Sequence, residues 1–124
     1  MVTDEMKQKH LIKDEKLLAI LDDIERMGTE SFGSKLKEII LYGSYARNLQ
    51  THESDLDIMF LFDESEEEII KYRDRIVDIM VDLSLEYDVV VSITENSVER
   101  FNSYIGYIPF YSNVHNEGVE IYAA

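Results

Sequence analysis

The run from Ile39 to Phe62, IILYGSYARNLQTHESDLDIMFLF, constrains the fold more than any other part of the chain. Two apolar segments of strand length bracket a polar passage that opens with Gly43-Ser44 and closes with Asp55-Leu56-Asp57. A β-strand sends successive side chains to opposite faces. Asp55, Asp57, Met59 and Leu61 therefore share one face, and Leu56, Ile58, Phe60 and Phe62 share the other. At a rise of roughly 3.3 Å per residue the two carboxylates stand about 6 to 7 Å apart, within reach of the same divalent cations. Sequential strands are usually neighbours, which sets Gly43-Ser44 beside the acidic pair.

The first of these strands spans Leu36 to Tyr42, with Gly43 closing it and Ser44 opening a helix. Glycine lets a ligand approach the backbone closely. The N–H groups of a first helical turn are unpaired and favour an anion. Ser44 has two readings, a helix N-cap or a phosphate ligand through its hydroxyl and backbone N–H. Arg47 also has two, a planar fork for a triphosphate or a salt bridge that orients one of the aspartates. The acidic pair lies before its apolar run, unlike the Asp-x-Asp motifs of phosphatases and glycosyltransferases. It also lacks the further acidic positions and the glycine of a calcium-binding EF-hand loop.

Gly-Ser, ten residues, then Asp-Leu-Asp, with Arg47 three positions after Ser44, resembles the signature of the DNA polymerase β-like nucleotidyltransferases. Within that superfamily the chain resembles the minimal nucleotidyltransferases (MNT), many of which pair with a HEPN-domain protein in toxin–antitoxin systems. Ser54 before Asp55 matches the family's Ser-Asp. Asn48 stands where the family usually has glycine, and asparagine tolerates the left-handed conformation better than most residues. The resemblance implies that Asp55 and Asp57 hold two Mg²⁺ ions and that Gly43, Ser44 and Arg47 bind the phosphates of a nucleoside triphosphate. It also calls for a third carboxylate on the next strand, which would act on the attacking hydroxyl. Asp88 is the candidate, Glu86 is its rival, and Asp88 beginning the strand in solvent is the plain structural alternative.

The rest of the chain supplies covering elements. Leu11, Leu17, Leu18, Leu21 and Ile24 recur at helical spacing across 4–27, with a break marked by Gly28 and Gly33. A second long helix is expected over 64–86, with Ile69, Ile70, Ile76, Val77, Met80 and Leu83 as its inner stripe and Ser65–Glu68 as a capping box. Tyr87 to Thr94 reads as a third strand, Ser97 to Tyr104 as a helix, Pro109 to Gly118 as a short helix, and Val119 to Tyr122 as an edge strand. Tyr104, Tyr107, Phe110 and Tyr111 form an aromatic cluster that serves as core, as a stacking surface for a purine, or as a partner interface. The expected fold is α+β: one domain over 1–124, a two-layer nucleotidyltransferase-like arrangement with a small mixed β-sheet flanked by helices.

A formal net charge of −14, from 26 acidic and 12 basic residues, repels nucleic acid on average. The acidity fits either plain solubility or a protein partner with a basic surface. No cysteine is present, which excludes disulfides and cysteine-based zinc sites. No secretory leader and no membrane-spanning run is recognisable, so a cytoplasmic location is expected. By the resemblance, the function is Mg²⁺-dependent transfer of AMP from ATP to a hydroxyl on a HEPN-type toxin, with homo- or hetero-oligomers open. Two rivals stand beside it: a non-catalytic antitoxin that neutralises its partner by contact, and an aminoglycoside-like small-molecule nucleotidyltransferase.

Overall fold

A computed structural model describes residues 6–124. Its centre is β3 (Leu56–Phe62), paired antiparallel with β2 (Leu36–Tyr42) and parallel with β4 (Val91–Ser97). β5 (Val119–Ala123) lies antiparallel on the outer side of β2, and the two-residue β1 (Lys7–Gln8) pairs parallel with β5. The order across this mixed sheet is β1-β5-β2-β3-β4. The expected α+β fold is what forms.

Alternation along β3 divides the core in two, as strand geometry requires. Leu56, Ile58, Phe60 and Phe62 pack with Ile39, Leu41, Val91 and Ile93 under helix α1 (Glu15–Phe32) and helix α3 (Arg73–Tyr87). Met59 and Leu61 pack with Ile40 on the opposite face, under Phe101 of α4 (Val98–Tyr104) and Val114 of α5 (Pro109–Glu117). Phe60 and Phe62 are fully buried, each contributing roughly 1.5–3 kcal/mol of transfer free energy. With both faces covered, β3 reads as a near-continuous apolar run after its acidic start.

Several expected boundaries move. The first helix begins at Glu15, capped by Asp14, whose Oδ1 accepts from the Leu17 N–H at 3.0 Å. Lys7–Gln8 is instead strand, and Leu11 is exposed; residues 4 and 5 of the expected helix lie outside the described residues. Gly28 falls inside α1 because its missing side chain is packing space: a Cβ there would stand 3.0 Å from Leu36 Cδ2. The break comes at Gly33, which caps the helix at φ +56°.

The second expected helix is divided into α2 (Glu66–Ile69), a 3₁₀ turn (Ile70–Tyr72) and α3. That tighter turn changes the helical phase. Ile70 and Val77 are consequently exposed, and Ile79, absent from the expected stripe, is buried beside Ile76 and Leu83. Ser65 caps α2 by accepting from the Glu68 N–H. The final strand is not an edge, since β1 covers its outer side.

Candidate active site

The acidic pair stands where β2, β3 and β4 meet their connecting loops. Register places Tyr42 of β2 and Ser92 of β4 on either side of Asp57. Asp55 immediately precedes β3 and is exposed, whereas Asp57 is half-buried. The Asp57 carboxyl is raised above its ordinary range, first by burial and then by the negative charge of Asp55, with Arg47 opposing. These two aspartates and the arginine therefore act on one another, as the spacing of the motif requires.

Gly43 explains how the turn comes so close. Its φ of +76° lies in the left-handed region, and a Cβ built on it would overlap Asp57 Oδ2. Only glycine meets both demands, the dihedral and the contact. The segment after it is not the expected helix but a single closed turn. Arg47 N–H donates to Gly43 O at 3.2 Å, Asn48 N–H to Tyr45 O at 3.3 Å, and Leu49 N–H to Ser44 O at 2.9 Å. The last two bonds, with Asn48 at φ +58°, make a Schellman-type ending that stops the helix after one turn. Asn48 thus takes the conformation expected of it. Ser44 is half-buried on this turn, directly after the glycine that faces Asp57.

Arg47 pairs with neither aspartate. Its Nη1 lies 3.1 Å from Glu117 Oε2 at the end of α5, in an exposed ion pair. Such a pair stabilises by about 0–1 kcal/mol, so an incoming polyphosphate can displace Glu117.

Asp88 is not brought to the pair. It occupies the left-handed cap of α3 (φ +54°), with its N–H bonded to Ser84 O, and β4 starts only at Val91. The expectation that it completes a triad on a strand from Tyr87 is corrected by that cap: the chain is still turning off the helix there. Glu86, its rival, is exposed in the last turn of α3. Among the described residues no three acidic, histidine or cysteine side chains group as a metal site. The position next to Asp57 on β4 is Ser92.

Motif reading missed Tyr42 and Thr94. The Tyr42 hydroxyl lies 3.4 Å from Thr94 Oγ1, and burial, with a smaller effect of Asp57, raises the Tyr42 pKa. Tyr42 adjoins the Gly-Ser pair, but only the antiparallel register with β3 reveals that it shares the Asp57 face. Within the aromatic cluster, Tyr111 packs against Phe101, Tyr104 and Phe110, Phe110 stays partly exposed, and Tyr107 is exposed. Phe110 meets Tyr42 edge-on at 5.6 Å.

A carboxylate pair at the mouth of a sheet, facing a Gly-Ser turn with an arginine at its edge, is an arrangement suited to phosphoryl- and nucleotidyl-transfer chemistry. Comparison with known proteins agrees. The nucleotidyltransferase domain family matches residues 20–114. A Methanocaldococcus jannaschii protein, provisionally named a protein adenylyltransferase, is 37% identical over 91 residues, covering 73% of this chain and 83% of its own. A chain of a toxin–antitoxin crystal structure with AMP-PNP superposes at TM-score 0.52 with 19% identity, over 84% of this chain and 73% of that one. Another, from the complex of the tri-AMPylated Shewanella oneidensis HEPN toxin with its MNT antitoxin, superposes at 0.51 with 17% identity, over 86% and 71%. At these identities the two structures establish the fold. The chain belongs to the nucleotidyltransferase domain family, and it is a nucleotidyltransferase. Among the described residues no helix is long and apolar enough to cross a membrane.

Proposed function

We propose that this enzyme transfers AMP from Mg·ATP to a hydroxyl group of a HEPN-type protein, acting as the antitoxin of such a pair. The observation that carries the reading is the Gly43–Asp57 contact, which joins a phosphate-binding turn to an acidic pair with no room for a side chain between them. The residues fit a divalent cation. Asp55 and Asp57 repel each other, and Asp57 is partly withdrawn from water, so a cation relieves both costs. Mg²⁺ retains several waters and takes one or two protein carboxylates plus substrate phosphates, so two aspartates suffice. When bound by Asp55 and Asp57, it supplies charge neutralisation for the triphosphate and acidification of the acceptor hydroxyl.

The remaining work falls to the chain. Gly43 and Ser44 offer backbone N–H groups and a hydroxyl to the leaving phosphates, and Arg47 adds its cation after release from Glu117. Asp55 and Asp57 would hold the cation that draws the α-phosphate toward the acceptor. The acceptor oxygen then forms a bond to the α-phosphorus, the bond to pyrophosphate breaks, and the hydroxyl proton passes to solvent. The names of the relatives above support ATP as donor and a HEPN-type acceptor.

The test is incubation with ATP labelled at the α-phosphate, Mg²⁺ and a HEPN-domain protein of the same genome, followed by mass spectrometry of that protein. Wild type should add AMP, and the Asp55→Ala/Asp57→Ala variant should add none. Transfer by the double variant would sink the mechanism. Ser92 in place of a third carboxylate favours one other reading, an antitoxin acting by contact alone. In that case the double variant would still protect cells from the toxin.

A further inference from the structure

We propose that the groove between the end of β2 and one face of α5 is the nucleoside pocket of this enzyme. Phe110 is its base platform, and Asn113 is the residue that tells one base from another. The proposal rests on the nucleotidyl-transfer reading and adds to it the place and chemistry of base recognition. Phe110, Asn113, Val114 and Glu117 recur at intervals of three and four, so they occupy one face of α5. Val114, buried against Ile40, seats that face on the sheet. Between it and the phosphate turn lies a cavity of about 170 Å³ bounded by Tyr42, Gly43, Arg47, Phe110, Asn113 and Glu117.

Gly43 belongs both to this cavity and to the Asp57 contact. A nucleotide with its phosphates on the turn therefore has its other end within reach of α5. The lining is chemically suited to a nucleoside. Phe110 is 43% exposed and stands edge-on to Tyr42 at 85°, which leaves ring surface for stacking. Asn113 is exposed, and its amide makes no hydrogen bond among the described residues. An amide offers a donor and an acceptor side by side, the complement of the N6/N7 edge of adenine, whereas the O6/N7 edge of guanine presents two acceptors. Glu117 also lines the cavity and accepts only, which suits ribose hydroxyls once Arg47 turns to the phosphates. On the opposite side of Asp57, β4 presents Ser92 and Thr94, which leaves that side to the acceptor.

Titration calorimetry tests the pocket with three probes: Mg·ATP, Mg·GTP and inorganic triphosphate with Mg²⁺. Wild type should prefer ATP. Phe110→Ala should weaken both nucleotides about tenfold or more, the scale of one lost base–aromatic stack, while leaving triphosphate binding unchanged. Asn113→Ala should bring ATP and GTP to within about twofold of each other, a loss of the discrimination that a paired amide provides. Asn113 is exposed, so its variant remains informative even if Phe110→Ala proves unstable to urea. Unchanged ATP binding and preference in both variants, alongside loss of binding in Asp55→Ala/Asp57→Ala, would overturn the pocket and leave nucleotidyl transfer standing. Equal weakening of inorganic triphosphate by the α5 variants would also overturn it. Absence of any Mg·ATP binding by wild type would overturn both.

Discussion

Two pairs of carboxylates lie on the same face of the sheet, and they resolve their mutual repulsion in different ways. Asp55 and Asp57 stand at the mouth of β3, half in water, beside a turn and an arginine. Glu38 and Glu120 sit inside the sheet, where β2 pairs with β5. Oε2 of each glutamate is buried with no donor from another group among the described residues. Glu38 is pushed up to about 7, by burial first and by Glu120 second. Asp57 is also raised, but Arg47 opposes the shift and the site is open. Burial favours the protonated form of Glu38, while the outer pair stays open to solvent. Position along the strand, not residue type, separates the buried acid pair from the open one.

Removing the outer pair should have the largest effect. Asp55→Ala/Asp57→Ala is expected to lower transfer by about a thousandfold or more, since several kcal/mol of charge stabilisation are lost at tenfold per 1.36 kcal/mol. Its urea midpoint should stay near that of wild type, because neither side chain is buried. A folded variant with full activity would erase the distinction between the pairs.

Gly43→Ala comes next. The left-handed backbone and the overlap with Asp57 should together cost about 1–3 kcal/mol of stability, and transfer should fall as well. Combining it with Asp57→Ala should recover part of that stability in a double-mutant cycle. Strict additivity would mean that the glycine and the aspartate do not touch.

The inner pair should appear as a pH dependence. Glu38 binds its proton more tightly folded than unfolded, so its contribution is complete below the ordinary glutamate range. It is lost as pH rises from that range to about 7. Wild-type stability should fall by on the order of 1–3 kcal/mol across the window, and Glu38→Gln should flatten the fall. Urea unfolding at pH 5 and pH 8 measures both slopes; an equal slope in the variant would place the titration elsewhere.

Ser92→Asp should have the smallest effect and sharpens the comparison from the other direction. A third carboxylate beside Asp57 should destabilise the protein by about 1 kcal/mol at pH 8 in EDTA. Mg²⁺ should recover that loss and more. Thermal melts with and without Mg²⁺ read both changes, and indifference to the metal would argue against a cation at this site.

Local chemistry made much of this molecule legible. β2 was readable to the residue, and β3 to within one residue, because both are apolar runs bounded by Gly43 and by Asp55-Leu56-Asp57. Pro109 and Gly118 bracketed α5 for the backbone reasons that favour them there. The motif residues themselves, Gly43, Ser44, Asp55 and Asp57, follow from strand alternation and a turn. The misplaced elements were those in which a distant contact outweighs local preference. Gly28 reads as a breaker but serves as packing space for Leu36 and Phe60. Asp88 reads as part of a strand from Tyr87, but the helix before it ends in a left-handed cap at that residue.

The amino-acid sequence by itself determined the two central strands, the acidic pair at their mouth and the glycine that only a left-handed turn requires. All of these depend on dihedral preference and on side-chain alternation over a few residues. Tertiary structure alone decided which side chains flank that pair and where its neighbours turn: Tyr42 and Ser92 flank it by strand register, the docking of α5 draws Arg47 to Glu117, and Asp88 caps α3. The physical reason is that register and helix docking minimise the energy of the whole core, and no short window of residues contains that sum.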